Sequence, residues 1–485
     1  MVFLALCLLA ADSDSSPADP AAVAEPAVEY SLLTIDGQPA GYQTHVESEQ
    51  DGRVVVDEIM KMQVPRFGQT FTMTTRLQEI AAADGSLDGF ELEISNNGQS
   101  MQKLAGTREG SDLSIRQQVA GTATTRSIPL PDGVIAASAM TDRMKTDGPL
   151  PEGESRTFQT FSPETLQVIT QTVTGLGPQD TTDRDGQPVT LAAESLTRSD
   201  VAISVQQFYD ADGEVVRTDL GLMDMVAWPV SREEALAAAG TGQVDFGLKT
   251  TLPVEPIPGL ARASSATLIV RGADQLPAGV AQRVQPVPES DAVRATLRRI
   301  DCRLFPGIGQ ADEPMLASSR LIDVDSPEVQ ELLQSAPPRA ESAGQTAADL
   351  ERFVRQTVSQ TSFGYGFGSA SDTVKNRSGD CSECAVLLAA LLRGRKIPSR
   401  VAYGLVYSES GGQASFVPHM WTEARLQTKS GRDAWVPLDA TRAQAGITPT
   451  HVCFGTDALA SDAPLAVVGL VSLSNSLDGL SIAPE

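Results

Sequence analysis

The stretch Gly379-Asp380-Cys381-Ser382-Glu383-Cys384-Ala385 most constrains how this chain can fold. After it, Val386, Leu387, Leu388, Ala389, Leu391 and Leu392 form an apolar run made mostly of good helix formers. No glycine interrupts before Gly394, and Pro398 forbids continuation. The pattern predicts a buried helix of about three turns over residues 382–393. Residues 376–380 are turn chemistry, so Cys381 falls at the helix start. Unpaired backbone N–H groups and the positive end of the macrodipole gather there. A thiol so placed has its thiolate stabilised and is more nucleophilic at neutral pH. The same N–H groups can face an oxyanion.

Such a thiol needs a base, and the chain has 3 histidines: His45, His419 and His451. His419 begins a strand-like segment that runs to Leu426. Residues 427–433 contain Lys429-Ser430-Gly431 and read as a turn. Residues 434–438 run back as a second strand, ending at Asp439. A hairpin of this kind places His419 and Asp439 side by side across adjacent strands. A carboxylate beside an imidazole fixes its tautomer and stabilises the imidazolium formed when it takes the thiol proton. Cys381, His419 and Asp439 are therefore the candidate catalytic set for acyl transfer. Cys384, Glu383 and Trp421 are candidate neighbours of that site, Trp421 as a shield of His419 from water. Glu423 shares a strand face with Trp421 and either orients the site or is a solvent-facing charge.

These residues carry a resemblance. Gly-Asp-Cys-x-Glu-x-Ala comes first, then Leu-Leu-Arg-x-x-x-Ile-Pro-x-Arg-Val-x-x-Gly-Leu-Val-Tyr, then His-x-Trp-x-Glu, then Trp-Val-Pro-Leu-Asp-Ala-Thr. In that order they resemble the bacterial transglutaminase-like family over roughly residues 325–475, four separate motifs being a specific signal. The resemblance implies a papain-like α+β core with Cys381 as nucleophile, His419 as base and Asp439 as its orienter. Thr450-His451-Val452-Cys453-Phe454-Gly455-Thr456-Asp457 resembles a segment that the family often carries after the Asp strand. One departure is Cys384, at a position often held by another residue in relatives, which raises a redox link between Cys381 and Cys384. The implied activity is hydrolysis or amine transfer on protein or peptide amides, with no cofactor and no metal. The alternative is a catalytically silent binding or scaffold protein of the cell envelope.

Two metal or redox readings compete. Cys381, Cys384, His419 and Cys453 would supply a tetrahedral zinc set, but structural sites usually pair two short-spaced ligand sets. A redox Cys-x-x-Cys lacks its usual βαβ surroundings. No Asp-x-Asp-x-Asp-Gly calcium loop is present. Five cysteines in 485 residues are too few and too scattered for a disulfide framework. Cys302, among Arg298, Arg299, Asp301 and Arg303, reads as an inert structural thiol. A net charge of -25 argues against nucleic acid and anionic membrane surfaces as partners.

The length allows two or three domains. Residues 1–11 hold a short apolar run followed by a Ser-, Asp-, Pro- and Ala-rich stretch. This predicts a secretory signal with a disordered tether over residues 1–27, hence an extracytoplasmic protein, periplasmic or secreted, with Cys7 faintly suggesting a lipoprotein. The run is too short to span a bilayer. Residues 28–238 follow period two, broken by Asp-Gly, Asn-Asn-Gly and similar turns. They predict a β-rich domain, an antiparallel sandwich or curved sheet, with His45 an exposed strand residue. Residues 239–322 read as a β-containing connecting region and 323–485 as the catalytic domain. Within the latter, residues 408–414 are a candidate lid, and the aromatic 363–368 stretch either lines a groove or turns a corner.

Overall fold

The structure, a computed structural model, describes residues 26–485 apart from 67–68, 120–121, 202, 222–223, 239–250, 274, 311, 362–367, 411–412, 444–445 and 461–476. The signal-like segment, the aromatic residues 363–367 and an apolar run expected as a strand at 466–473 therefore lie outside the described residues. The chain divides into two compact units, one ending at Gly247 and the other running from Leu248 to Glu485.

The first unit is built on a single 15-stranded sheet. Asp36-Gly37, Asp51-Gly52 and Asn97-Gly98 each place two successive residues at positive φ. That is the twist a tight hairpin needs, and Asp-Gly or Asn-Gly supplies it at least cost. Strands consecutive in sequence thus lie side by side, from Val28–Ile35 out to Thr122–Pro129. On its other side Val28–Ile35 pairs antiparallel with Met225–Val230. A bridge between Ser86 and Ile135 ties one end of the sheet back to an inner strand. The result is a curved sheet, not a sandwich of two. Leu77, Phe90, Leu104, Leu113, Ile115 and Leu130 share its core. His45 is buried, with its Nδ1 3.2 Å from Glu58 Oε1, which corrects the exposed reading. The two residues face each other across adjacent strands, so the register buries both.

In the second unit, residues expected to form a separate connection pair with the segment that carries the site. Leu252–Val254 pairs with Ala414–Phe416. Ser265–Arg271 lies between Val293–Arg298 and the C-terminal strand Ser481–Pro484, so the chain end is part of a sheet. Among the described residues, four α-helices follow the connection: Pro327–Ser335, Ala343–Thr357, Ala370–Asn376 and Cys381–Gly394. Ser326 and Ser342 cap the first two, accepting from Val329 N and Gln345 N.

The Cys381 helix is the centre of this unit. Val386, Leu387, Leu388, Leu391 and Leu392 expose no surface, each contributing about 1.5–3 kcal/mol by burial. The helix packs against the strands Ser399–Ser410, Gln413–Gln427 and Asp433–Leu438. Thr422 Oγ1 donates to Ala385 O at 2.9 Å, and Ser399 Oγ to Ala389 O at 2.9 Å, fixing the helix along the sheet. Arg393, fully buried, donates to the carbonyls of Ala317, Ser399 and Ala458. The 408–414 segment is mostly ladder: Ser408 pairs with Ser415, Glu409 with Ala414 and Ser410 with Gln413. It is the end of a hairpin, which replaces the lid reading.

Candidate active site

Cys381 is the first residue of its helix. Asp380 is the N-cap: its Oδ1 accepts from Ser382 N at 2.9 Å and from Ser382 Oγ at 2.7 Å. Glu383 completes a capping box, its Oε2 accepting from Asp380 N at 2.9 Å. Glu383 Oε1 also accepts from Gly368 N at 3.0 Å, so this carboxyl ties the approaching loop to the helix start. Burial, then the charge of Asp380, holds Glu383 well above the usual carboxylate range. Of the expected neighbours, Glu383 is thus a buried prop of the helix start.

His419 and Asp439 are in contact, Nε2 to Oδ2 at 3.0 Å. The way they meet differs from the expected side-by-side pairing. The last pair of their ladder is Thr422 with Leu438, so Asp439 lies one residue past it. On the same edge, Leu252–Val254 pairs no further than Phe416. Among the described residues, the edge of the His419 strand is therefore unpaired over residues 417–421. The Asp439 carboxylate turns into that gap and reaches back to the imidazole.

Asp439 is held from every side. Its Oδ1 accepts from Thr441 N at 2.9 Å and Thr441 Oγ1 at 2.6 Å. Its Oδ2 also accepts from His451 Nε2 at 3.1 Å, with Arg442 Nε 3.6 Å away. Its backbone N–H donates to Glu351 Oε1 at 2.7 Å. Burial pushes the carboxyl up, but the charge and hydrogen bond of His419, with the hydrogen bond of His451, outweigh it and hold Asp439 well below its usual range. The side chains of Asp439 and His451 are each 1% exposed and that of His419 is 12%, so His419 is the solvent-facing member. Trp421 stacks on His419, centroids 6.2 Å apart, and meets His451 edge-on at 5.3 Å.

The helix start and this cluster are electrostatic neighbours. Burial pushes the Cys384 thiol up, and the charges of Glu383, Asp439 and Asp380 add to it. Asp439 thus acts on a thiol one turn along from Cys381. Cys384 is buried, and no disulfide joins the described cysteines. Cys302 and Cys453 are likewise thiols raised by burial. The competing zinc set of Cys381, Cys384, His419 and Cys453 is not brought together among the described residues. Among the described residues, the three ligand atoms within 4.8 Å of one another belong to His419, Asp439 and His451, a set that could hold a metal ion. Glu423 bonds Arg400 at 2.8 Å, and Arg400 stacks on Trp435 at 4.2 Å, with Arg425 at 5.3 Å. Glu423 and Trp435 thus form a stack of their own with the two arginines.

Sequence reasoning gave no role to His451, Glu351 or Thr441. Glu351 did leave a signal: it stands three and seven residues before Val354 and Val358, a carboxylate on an apolar helix face. Thr441 stood in the quoted Asp-Ala-Thr motif.

A helix headed by a cysteine packs on a hairpin that carries an imidazole–carboxylate pair, which makes this an α+β unit. Residues 330–440 match the sequence profile of the transglutaminase-like superfamily, so this segment is a transglutaminase-like core. No curated protein matches the chain in sequence. A solved structure from Cytophaga hutchinsonii, provisionally named a cysteine protease, is 19% identical over 46% of this chain and 81% of its own, at a TM-score of 0.29. A β-barrel-like protein with a domain of unknown function from Brucella abortus is 12% identical over 42% of this chain and 96% of its own, at 0.31. A structure from Parabacteroides distasonis, provisionally named a protease, is 12% identical over 72% and 69%, at 0.19. Superpositions this loose say nothing about activity.

Proposed function

We propose that the C-terminal unit catalyses thiol-dependent acyl transfer on protein or peptide amides. The observation that carries this reading is the 3.0 Å contact between His419 Nε2 and Asp439 Oδ2, in an unpaired gap of the sheet beside a cysteine-headed helix. With Nε2 held by the carboxylate, Nδ1 is the nitrogen left to take a proton from Cys381. The thiolate attacks the carbonyl carbon, and the Cys381 backbone N–H, with a second donor, holds the oxyanion. The tetrahedral adduct collapses, the C–N bond breaks, and His419 returns its proton to the leaving amine. A thioester remains, and water or a primary amine then attacks it, regenerating the thiol. Water makes the protein a protease or amidase; an amine makes it a cross-linking enzyme. The signal-like N-terminus supports an extracytoplasmic setting.

Iodoacetamide labelling across pH, read by peptide mass spectrometry, tests the nucleophile. Cys381 should react well below the free-thiol pKa of about 8.5, and His419→Ala should slow it. Equal reactivity in wild type and His419→Ala would remove the proposal. A peptide library with and without an amine donor then separates hydrolysis from transfer.

A further inference from the structure

Asp439 Oδ2 accepts from two imidazoles, and the reaction proposed above uses one. His451 opens the strand His451–Asp457, beyond the segment that matches the superfamily profile. Its Nε2 lies 3.1 Å from the carboxylate oxygen that holds His419. Its Nδ1 lies 3.1 Å from Thr450 Oγ1, which is itself 2.9 Å from Thr448 Oγ1. The tautomer that satisfies both contacts carries its proton on Nε2 and accepts at Nδ1 from the threonine pair. Burial lowers the basicity of His451 against the pull of Asp439, which keeps the ring neutral and the Nε2–H in place.

We infer that His451 is a positioning residue: a second, neutral imidazole that pins Asp439 Oδ2 so that the carboxylate meets His419 in one orientation. Two features favour this over simple core filling. A buried apolar side chain would fill the space without donating to a carboxylate already supplied by Thr441, whereas His451 takes the very oxygen that His419 uses. Its edge-on contact with Trp421, the ring stacked on His419, makes the three rings one packed unit.

The inference rests on the proposed chemistry, and its test separates the two. Glutamine places its amide nitrogen where histidine has Nε2, so His451→Gln keeps the donor to Asp439. His451→Leu and His451→Asn remove it, the second leaving a polar group that stops short. The probe is iodoacetamide, with the rate at Cys381 measured by peptide mass spectrometry from pH 5 to 10 on the full chain. Circular dichroism and thermal melts show which variants fold. His451→Leu, or His451→Asn if the leucine variant does not fold, should react about tenfold more slowly near pH 7. His451→Gln should stay within about threefold of wild type.

The groups facing Asp439 are His419, His451, Arg442 and, through its backbone, Glu351. Removing one neutral donor leaves a fuller carboxylate charge for the His419 imidazolium. The alkaline limb of the rate profile should therefore move up in the leucine and asparagine variants and overlay wild type in glutamine. A folded leucine or asparagine variant with wild-type rate and profile would overturn the inference, as would a folded glutamine variant as slow as the asparagine one. An unreactive Cys381 in wild type would instead overturn the proposed chemistry.

Discussion

Glu351 offers a test that needs no substrate. It sits on the helix Ala343–Thr357 and is fully buried. Its Oε1 accepts from Asp439 N at 2.7 Å, and Gly446 N donates to both of its oxygens, at 3.1 and 3.0 Å. Burial pushes its carboxyl from an ordinary value of 4.5 up to about 8, with those N–H groups pulling the other way and losing. An acid whose folded pKa is raised holds a proton that the unfolded chain has already lost. Its stabilising contribution is complete below the unfolded value and falls as pH rises toward the folded one. At 1.36 kcal/mol per unit, this group costs about 2 kcal/mol between pH 6.5 and 8.5. Glu351→Gln keeps the acceptor for Asp439 N and removes the titration. Urea unfolding of both proteins, followed by Trp421 and Trp435 fluorescence in a Trp228→Phe background, isolates the second unit. The glutamine variant should gain about 2 kcal/mol on wild type as pH rises across that window. A difference between the two proteins that does not change from pH 6.5 to 8.5 would show an ionised Glu351 and refute the reasoning.

Thr441→Val deletes the hydroxyl that donates to Asp439 Oδ1 at 2.6 Å and keeps the backbone donor. A hydrogen bond to a charged group is worth about 1.5–3 kcal/mol, so a loss of that order in urea unfolding is expected, with slower labelling of Cys381. Gly404 pairs with His419 on one side and Cys453 on the other, and a Cβ there would run into the Val452 carbonyl. Gly404→Ala should therefore cost about 1–3 kcal/mol as an overpacked site, and should raise amide exchange in the His451 strand above that in the rest of the sheet.

Local chemistry made much of this legible. The Asp-Gly and Asn-Gly pairs named the hairpins because few other residues tolerate two positive φ angles in a row. The apolar run between Gly379 and Pro398 named the central helix, which starts one residue earlier than expected, at Cys381. The Asp380 and Glu383 pair is a capping box written in the sequence, and it fixes that boundary. What stayed hidden depends on partners far away. The helix Ala137–Asp147 follows Ala136, which has no side chain to cap it, and has no acid in its first turn. Its N–H groups go to Glu79 instead, with Ala137 N and Ser138 N donating at 2.9 and 2.8 Å. No window centred on that helix contains its cap.

The same logic governs the site. A strand pattern says which residues alternate, but not where a ladder stops. Had the ladder of Asp433–Leu438 run on past Thr422, Asp439 would have faced Trp421 across the strands, on the face that His419 shares, with its backbone tied to the strand edge. Because pairing ends there, and Leu252–Val254 pairs no further than Phe416, the carboxylate is free to turn into the gap. The turn has to be stabilised, since a buried carboxylate needs donors at both oxygens. Thr441 supplies one oxygen, His419 and His451 the other, and Glu351 fixes the backbone between. These partners come from a helix, a strand, a turn and a second strand, spread from residue 351 to 451. The motif names the acid, and the unpaired edge with its ring of donors determines what that acid can reach.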